Sequence, residues 1–282
     1  MKKYVPIIII FIVAVAVVLG FSFLGRSLPN QGAVLNASSF QDNFNRDSVL
    51  EEMPNILKSK SSAWWLSSGA YFITKNGIGS TNIGRLRAGS KWQVRYVNST
   101  ADSADGGYLP QNIFRLVSIV TQKSFEQQCY FRIVNYNKTQ SKERNESNGI
   151  FFFNRYQDQD NVYYTGIRVD GAFVVKKKVG GEYFTMAYEK ILTGVYNKDT
   201  NPNLLPMGMW FGLKSEVSDN PDGTVDIKLY FDENRSGNWK LVLEATDDGK
   251  NFGGAIIDSA GHGGIRTDFM DVEFSEYSIK QL

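Results

Sequence analysis

Residues 151–171 read FFFNRYQDQDNVYYTGIRVDG, and this stretch decides the fold class. Two runs rich in phenylalanine, tyrosine, valine and isoleucine flank the polar segment QDQDN, which is typical of two β-strands joined by a hairpin. The pair Asp170–Gly171 follows, and an Asp-Gly pair between two such runs predicts a second, tight turn. The stretch therefore predicts three consecutive antiparallel strands.

Similar short segments follow one another on both sides of this stretch, from Phe40 to the end of the chain. They are WQVRYV, NIFRLVSIV, CYFRIVNYN, AFVVKKK, MWFGLKSEV, TVDIKLYF, WKLVLEA and MDVEFSEYSI. Turn pairs as in PDGT and DDGK separate many of them, and the helix candidates, DSVLEEMPNIL and GGAI, are short. The pattern predicts an all-β protein in which residues 40–282 form one antiparallel β-sandwich or jelly roll.

The N-terminus carries a separate signal. Residues 4–24 contain no charge, and at about 1.5 Å per residue they reach roughly 30 Å, the thickness of a bilayer core. Lys2 and Lys3 precede them, which favours a cytoplasmic N-terminus. We therefore expect residues 1–24 to form a transmembrane anchor helix and residues 25–39 a tether, so that the domain lies extracytoplasmically at the cell surface. A cleaved signal peptide is the alternative, and the domain is then secreted.

Charge and residue counts exclude several classes of function. Lysine and arginine total 31 against 29 acidic residues, and without Lys2 and Lys3 the balance is 29 to 29. This lacks the cationic excess of a nucleic-acid-binding protein, so no nucleic-acid partner is expected. Cys129 and His262 are the only cysteine and histidine. One of each cannot form an intramolecular disulfide or a typical zinc cluster, and a serine-type triad has no support.

Arginines on strand faces are the candidate ligand-binding residues. Arg115 and Arg132 interrupt strands that are otherwise apolar on both faces, so each is predicted to face a groove. By alternation, Arg155 shares a face with Phe151 and Phe153. A planar guanidinium makes two parallel hydrogen bonds to a carboxylate or a sugar diol, and tyrosines stack on sugar rings. The predicted ligand-binding residues are Arg115, Arg132, Arg155, Tyr156, Tyr164 and Arg168. The alternative is a buried arginine paired with a core carboxylate.

Three stretches resemble a known superfamily. The segments FQDNFNR (40–46), WWLSSGAYFITKNGIGS (64–80) and GIRTDFMDVEFSEYSI (264–279) are similar to the opening and closing strands of concanavalin-A-like, or laminin-G-like, jelly rolls. The resemblance implies that the opening and closing strands pair. It also implies a glycan partner, a polysaccharide or a glycoprotein glycan. The superfamily mixes lectins with glycoside hydrolases and polysaccharide lyases, so the resemblance implies no single function.

The catalytic motifs known from enzymes of this superfamily are incomplete in this sequence. The E-x-D-x-x-E string of β-glucanases on this fold is absent, and the nearest string, DVEFSE (271–276), lies in the predicted closing strand. YFRIVNYNKTQ (130–140) only partly matches the strand of alginate-lyase-type enzymes, and no Gln-x-His occurs. We therefore predict a carbohydrate-binding, lectin-like domain and assign no catalytic residue. A glycoside hydrolase or a polysaccharide lyase is the alternative.

A structural calcium ion is the one cofactor that the resemblance suggests. Such an ion ties the opening and closing strands together through carboxylate and carbonyl oxygens, which are the hard ligands that calcium prefers. Asp42, the backbone around Gly77, and Asp271 match those places. Acidic residues that simply form salt bridges or face water are the alternative.

Overall fold

A computed structural model describes residues 34–35 and 39–282 of the chain, and in them two antiparallel sheets are packed face to face. The ten-stranded sheet contains β1 (Val34–Leu35), β2 (Ser39–Asp42), β3 (Ser48–Glu51), β5 (Tyr71–Lys75), β6 (Ile78–Thr81), β8 (Phe125–Tyr136), β13 (Trp210–Asp219), β14 (Val225–Glu233), β15 (Lys240–Asp247) and β17 (Met270–Gln281). The seven-stranded sheet contains β4 (Trp64–Ser68), β7 (Ile113–Gln122), β9 (Gly149–Asp158), β10 (Asn161–Arg168), β11 (Ala172–Val179), β12 (Glu182–Lys190) and β16 (Gly261–Asp268). The prediction of an all-β antiparallel sandwich is thus confirmed.

The three strands predicted from residues 151–171 are present. β9, β10 and β11 pair antiparallel, with Tyr164 opposite Phe153 on one side and Lys176 on the other. The seven-stranded sheet has the order β12-β11-β10-β9-β16-β7-β4, so this meander continues to the β12 edge. Side chains alternate across it: Ile150 and Phe152 belong to the central core, and their neighbours point to the opposite, outer face.

The opening and closing strands also pair as expected. β2 lies antiparallel to β17, with Phe40 opposite Ile279 and Asp42 opposite Tyr277. Phe40 and Tyr277 are fully buried, and their ring centroids lie 5.7 Å apart. Residues 34–35, inside the segment predicted as a tether, form β1 and pair with β2.

One predicted strand is a helix. WQVRYV belongs to α1 (Lys91–Thr100), because Trp92 and Tyr96, one helical turn apart, both bury against the sandwich. In that packing the Tyr96 hydroxyl donates to Glu52 and accepts from the Gly69 N–H at 2.7 Å. Its aromatic and β-branched composition favoured a strand, and the tertiary contacts overrode that preference. DSVLEEMPNIL, expected to be helical, contains β3 and the short 3₁₀ turn Ile56–Lys58.

The predicted membrane anchor, residues 1–24, lies outside the described residues, as does most of the predicted tether. Within residues 34–35 and 39–282, the helices are all too short and too polar to span a bilayer.

A polar network crosses the interior between the sheets. The Lys177 ammonium on β11 lies 2.8 Å from Asp247 on β15, and both side chains are fully buried. Tyr163 donates to the other oxygen of Asp247 at 2.7 Å, and Lys177 also donates to the carbonyl of Gly254. Each partner satisfies the others, which is the condition for keeping charges inside a core.

Candidate functional site

The outer face of the seven-stranded sheet carries a second cluster of packed side chains, separate from the core. It consists of Val117, Phe151, Phe153, Tyr156, Val162, Tyr164 and Val174, with Trp65 against its edge. These residues alternate with core residues along β7, β9, β10 and β11. A sheet face this apolar and aromatic differs from an ordinary solvated sheet face and is a candidate ligand site.

A cavity of about 310 Å³ opens on this face. It is lined by Glu143, Asn145, Ser147, Asn148, Phe151, Tyr164, Lys176, Tyr183 and Arg266. The first four lie in the loop between β8 and β9, and the others come from β9, β10, β11, β12 and β16. Five strands and one loop thus contribute to a single concave surface, which is typical of small-ligand sites.

Aromatic rings and one guanidinium form the wall of the cavity. The rings of Tyr164 and Tyr183 lie 6.0 Å apart, and Phe151 meets Tyr164 edge-on at 6.4 Å. The Arg266 guanidinium lies 5.3 Å from the ring centroid of Tyr164 and donates to the Tyr183 hydroxyl at 3.4 Å. Asp268 accepts from Arg266 Nε at 2.9 Å and so holds the guanidinium in place.

The two tyrosines of the wall differ in acidity. Burial raises the pKa of Tyr164 to about 12, although the neighbouring Arg266 acts against it. Burial also acts to raise the pKa of Tyr183, but there the charge of Arg266 and its hydrogen bond outweigh burial, and the pKa is lowered. Tyr183 is therefore the more acidic of the two hydroxyls.

Lys176 is the cation of the cavity floor. It lies opposite Tyr164 on β11, and in the described part of the chain it forms no ion pair and no hydrogen bond. Burial, together with the positive charges of Arg168 and Arg266, lowers its pKa to about 8. Its ammonium is therefore only weakly stabilised by the protein itself.

Arg115, Tyr156 and Tyr164, three of the predicted ligand-binding residues, lie on this outer face. Arg115 is opposite Arg266 in the pairing of β7 with β16. Its charge reaches both tyrosines and partly offsets the burial that raises the pKa of Tyr156. Tyr156 packs between Phe153, at 5.1 Å, and Trp65, at 6.4 Å. Tyr164 lines the cavity, and the other two extend the same face beyond it.

Arg168 lies on the outer face, at the margin of the cavity. Its Nη2 donates to Asp170 at 2.7 Å, its Nε donates to the carbonyl of Glu146, and its guanidinium lies 5.1 Å from the Tyr188 ring. These contacts hold the side chain beside the loop that lines the cavity. Arg168 therefore shapes the margin and adds positive charge, but it does not line the cavity.

The predicted position of Arg155 is wrong. Its φ is +51°, and the pairing of β9 shifts register there, so a bulge reverses the alternation that placed Arg155 beside Phe153. The guanidinium is fully buried and donates to the carbonyls of Lys123 and Ile257 and to Asp219 at 2.9 Å. Arg155 is therefore an internal support, which is the alternative that the sequence left open.

Arg132 lies on the other sheet. It is on β8, where Nε donates to Glu273 at 2.6 Å and the guanidinium lies 4.9 Å from the Trp210 ring. The predicted groove position did not distinguish the two sheets. Both sheets contain strands that are apolar on both faces, so the strand pattern around Arg132 does not show to which sheet it belongs. Arg132 is not part of the outer-face cavity.

The residues expected to bind calcium are not brought together. Asp42 accepts hydrogen bonds from the Phe44 N–H and the Trp64 indole, each at 2.8 Å. Asp271 accepts from Gly84, Gln111 and Asn137 and faces a different part of the sheet. Both carboxylates thus already have N–H partners within the protein.

The pairing of β17 explains the separation of the calcium candidates. Asp42 lies opposite Tyr277, six residues along the strand from Asp271. Gly77 lies near Asn43 and Asn45, in the segment that follows Asp42. Among the described residues no group of three or more acidic, histidine or cysteine side chains could hold a metal ion. The predicted ligand set is therefore wrong.

Sequence reasoning missed three of the residues that define the cavity. Arg266 lies within the closing segment GIRTDF, which was interpreted only as a fold signal. Lys176 begins a run of three lysines that resembles a solvated strand end, and Tyr183 lies on an edge strand. A two-residue Asp170–Gly171 turn would pair Tyr164 with Lys177, whereas the structure pairs Tyr164 with Lys176, so the predicted turn did not indicate Lys176 either. Nothing local indicated Arg266 or Tyr183.

The known proteins that are similar to this chain were found by structure and not by sequence. No protein family and no curated protein matches the chain by sequence. Similar solved structures include the carbohydrate-binding module CBM66 from Bacillus subtilis, with 15% identity, a TM-score of 0.42, and coverage of 60% of this chain and 82% of that chain. The Ca²⁺/Man-bound exoplasmic/lumenal domain of VIP36 has 11% identity, a TM-score of 0.43, and coverage of 83% and 89%. LamAcat from Zobellia galactanivorans has 10% identity, a TM-score of 0.46, and coverage of 89% and 98%.

The likeness to concanavalin-A-like jelly rolls is one of fold. The two stacked antiparallel sheets and the paired opening and closing strands carry it. At this level of similarity no residue role is transferred from the known structures, and the role of the outer face has to be argued from its own chemistry.

Proposed function

We propose that the outer face of the seven-stranded sheet binds a carbohydrate. The observation that carries the proposal is the cavity in which Phe151, Tyr164 and Tyr183 converge with Arg266 and Lys176. Sugars present apolar C–H faces and a rim of hydroxyls. Aromatic rings combined with a few oriented polar groups match both features.

The polar groups of the cavity suit hydroxyl recognition. The loop between β8 and β9 supplies the amide side chains of Asn145 and Asn148, which both donate and accept. This loop is internally braced: the Asn148 side chain accepts from the Asn145 N–H at 2.6 Å, and Asn145 Oδ1 accepts from the Ser147 N–H at 2.9 Å. A braced loop costs little ordering entropy when a ligand binds.

Tyr183 is the most direct place to test carbohydrate binding. Its side chain lines the cavity, yet the residue is 53% exposed on the edge strand β12, so truncation does not open the core. We expect Tyr183→Ala to weaken binding of a glycan from a screened panel by about tenfold, as loss of one stacked aromatic anchor does. Isothermal titration of the full-length protein measures the change.

The matched control is Tyr230→Ala. Tyr230 is a partly exposed tyrosine on β14 of the ten-stranded sheet, where its hydroxyl donates to Glu216, and it lies outside the cavity lining. The control should bind like the unchanged protein. Equal losses in both variants, or the absence of any glycan ligand across neutral and acidic panels, would reject the proposal.

A polysaccharide lyase is the second candidate, and one observation favours it. Arg266 lowers the pKa of Tyr183 inside the cavity, and a tyrosine next to a cation is a reasonable proton-abstracting group. A hydrolase is less well supported, because Glu143 is the one carboxylate among the described residues that lines the cavity, whereas hydrolysis needs a pair. Incubation with acidic polysaccharides distinguishes the candidates. Ultraviolet-absorbing unsaturated ends that disappear in Tyr183→Phe indicate a lyase, and unchanged polymer indicates binding alone.

Membrane display is part of the proposal. The charge-free residues 4–24 behind Lys2 and Lys3 support an anchor with the sandwich outside the cytoplasm. A carbonate wash of membranes tests this: full-length protein in the pellet supports an anchor, and a soluble product beginning near Ser22 indicates a cleaved signal peptide.

A further inference from the structure

We infer that the carbohydrate bound on the outer face is acidic, and that Lys176 and Arg115 each take up one of its carboxylates. The inference rests on the proposed carbohydrate-binding function and adds to it the chemical class of the ligand. Its basis is the charge pairing on this face.

Five cationic side chains lie on the outer face in or beside the cavity, and the protein neutralises three of them. Arg266 pairs with Asp268 at 2.9 Å, Arg168 pairs with Asp170 at 2.7 Å, and Lys178, whose ammonium lies over the Tyr183 ring, pairs with Asp160 at 2.9 Å. Lys176 and Arg115 have no acidic partner and no hydrogen bond within residues 34–35 and 39–282. Two positive charges are thus available to a ligand.

The surroundings of Lys176 make its missing partner significant. The charged groups that face it are Arg168, Arg266, Asp170 and Asp268. Two cations and two acids cancel one another, so the ammonium itself is uncompensated. Keeping a half-buried, uncompensated charge costs free energy that a methionine of similar length would not. A bound carboxylate would supply the missing partner.

The titratable cavity-lining groups leave this conclusion unchanged. Burial raises the pKa of Tyr164 to about 12, so this hydroxyl is neutral near pH 7. Glu143 lies on the exposed loop and forms no ion pair with a lysine or arginine of the described chain. The floor of the cavity is therefore cationic, with one acid at its margin.

The positions of the two cations suit an extended ligand. Arg115 is on β7 and Lys176 on β11, separated by β16, β9 and β10. Four strand spacings of about 4.8 Å place their backbones roughly 19 Å apart. Arg266, Phe151 and Tyr164 lie between them. An oligosaccharide of several units that crosses the strands reaches both cations, and the planar fork of Arg115 matches a carboxylate.

A matched pair of ligands tests the inference. Oligosaccharides of hexuronic acids and the same chains with each carboxylate reduced to an alcohol differ only in charge. We expect full-length protein to bind at least one acidic chain about tenfold or more tightly than its reduced counterpart, because charge-assisted hydrogen bonds are lost. Isothermal titration at two salt concentrations should show weaker acidic binding at the higher one.

The outcomes separate the inference from the proposed function. Equal affinity for acidic and reduced chains would overturn the inference and leave carbohydrate binding intact. Preference for a sulfated neutral chain over every hexuronate would overturn the carboxylate class. Failure of all chains, acidic and neutral, would reject carbohydrate binding itself and the inference with it.

Variants at Lys176 test whether its ammonium is the charge that binds the acidic ligand. Lys176→Met should weaken acidic binding about tenfold and leave neutral chains unaffected, because only the ammonium is removed. Lys176→Arg should stay within about threefold of the unchanged protein. Lys228→Met, on the ten-stranded sheet, removes the same net charge and should have no effect. An equal loss in Lys228→Met would indicate non-specific attraction and refute the assignment.

The pH dependence of binding tests the role of the Lys176 ammonium in a second way, and a folding defect would not produce the same dependence. Burial holds the pKa of Lys176 at about 8, so acidic affinity should fall between pH 7 and 9 as the ammonium loses its proton. Lys176→Arg stays charged and should show a flat profile over this range. Both proteins carry Tyr183→Phe, so that this phenol does not titrate. Identical pH profiles with lysine and arginine would contradict a role for Lys176.

Discussion

Lys176 and Lys177 are neighbours on one strand, and the difference between their surroundings separates a structural region from a functional one. Lys177 points inward, is fully buried, and pairs with Asp247, which also accepts from Tyr163. Lys176 points outward into the cavity and has no partner among the described side chains. The same residue type is thus fully satisfied on one face and left open on the other. Alternation in a strand places the two side chains on opposite faces of the sheet. Only the inner one is buried in the core, where a charge needs a partner for the protein to fold.

Removal of the inner lysine should have the largest effect. Lys177→Met leaves Asp247 buried without its cation, which costs about 3–5 kcal/mol in the free energy of unfolding. Urea unfolding followed by circular dichroism measures the loss. Lys176→Met is the matched control and should not lower the free energy of unfolding, because the ammonium that it removes has no partner in the protein. Comparable losses in the two variants would remove the distinction between the two faces.

A second interior carboxylate extends the comparison. Asp271 is 1% exposed and accepts from the Gly84 N–H, Gln111 and Asn137. Asp271→Asn presents an NH₂ group to these donors and should cost about 1–3 kcal/mol, while the exposed control Asp258→Asn should cost little. Because three N–H donors occupy the carboxylate, a chelator should leave the loss unchanged. A loss that appears only without chelator would instead restore Asp271 as a calcium ligand.

The smallest expected effect is the pH dependence of stability that arises from Lys176. Its folded-state pKa, about 8, lies below the ordinary lysine value, so between about pH 8 and 10 the unfolded chain binds more protons than the folded one. Stability therefore rises with pH through this window, and this contribution is absent in Lys176→Met. Thermal unfolding of both proteins at pH 7 and pH 9.5 measures the difference. A larger rise in the variant would have the wrong sign.

Much of the fold was predictable because its signals are local. Residues 151–171 contain both the strand composition and the turn pair, and β9, β10 and β11 follow them closely. The helix α1 was not predictable from WQVRYV, because its helical form depends on a surface for Trp92 and Tyr96 to pack against. The predicted position of Arg155 was wrong for a related reason. A bulge sets the direction of its side chain, and the pairing of β9 with the neighbouring strands imposes the bulge.

Strand composition and turn pairs were enough to predict a β-sandwich with arginines and tyrosines in apolar strands, and the resemblance to jelly rolls implied that the opening and closing strands pair. Which of the arginines and tyrosines lie together depends on the tertiary structure. It assembled Tyr164, Lys176, Tyr183 and Arg266 into one cavity, moved Arg132 to the other sheet and sealed Arg155 inside. Alternation within a strand is a short-range property of the backbone, whereas strand order and bulges depend on contacts between residues far apart in the chain.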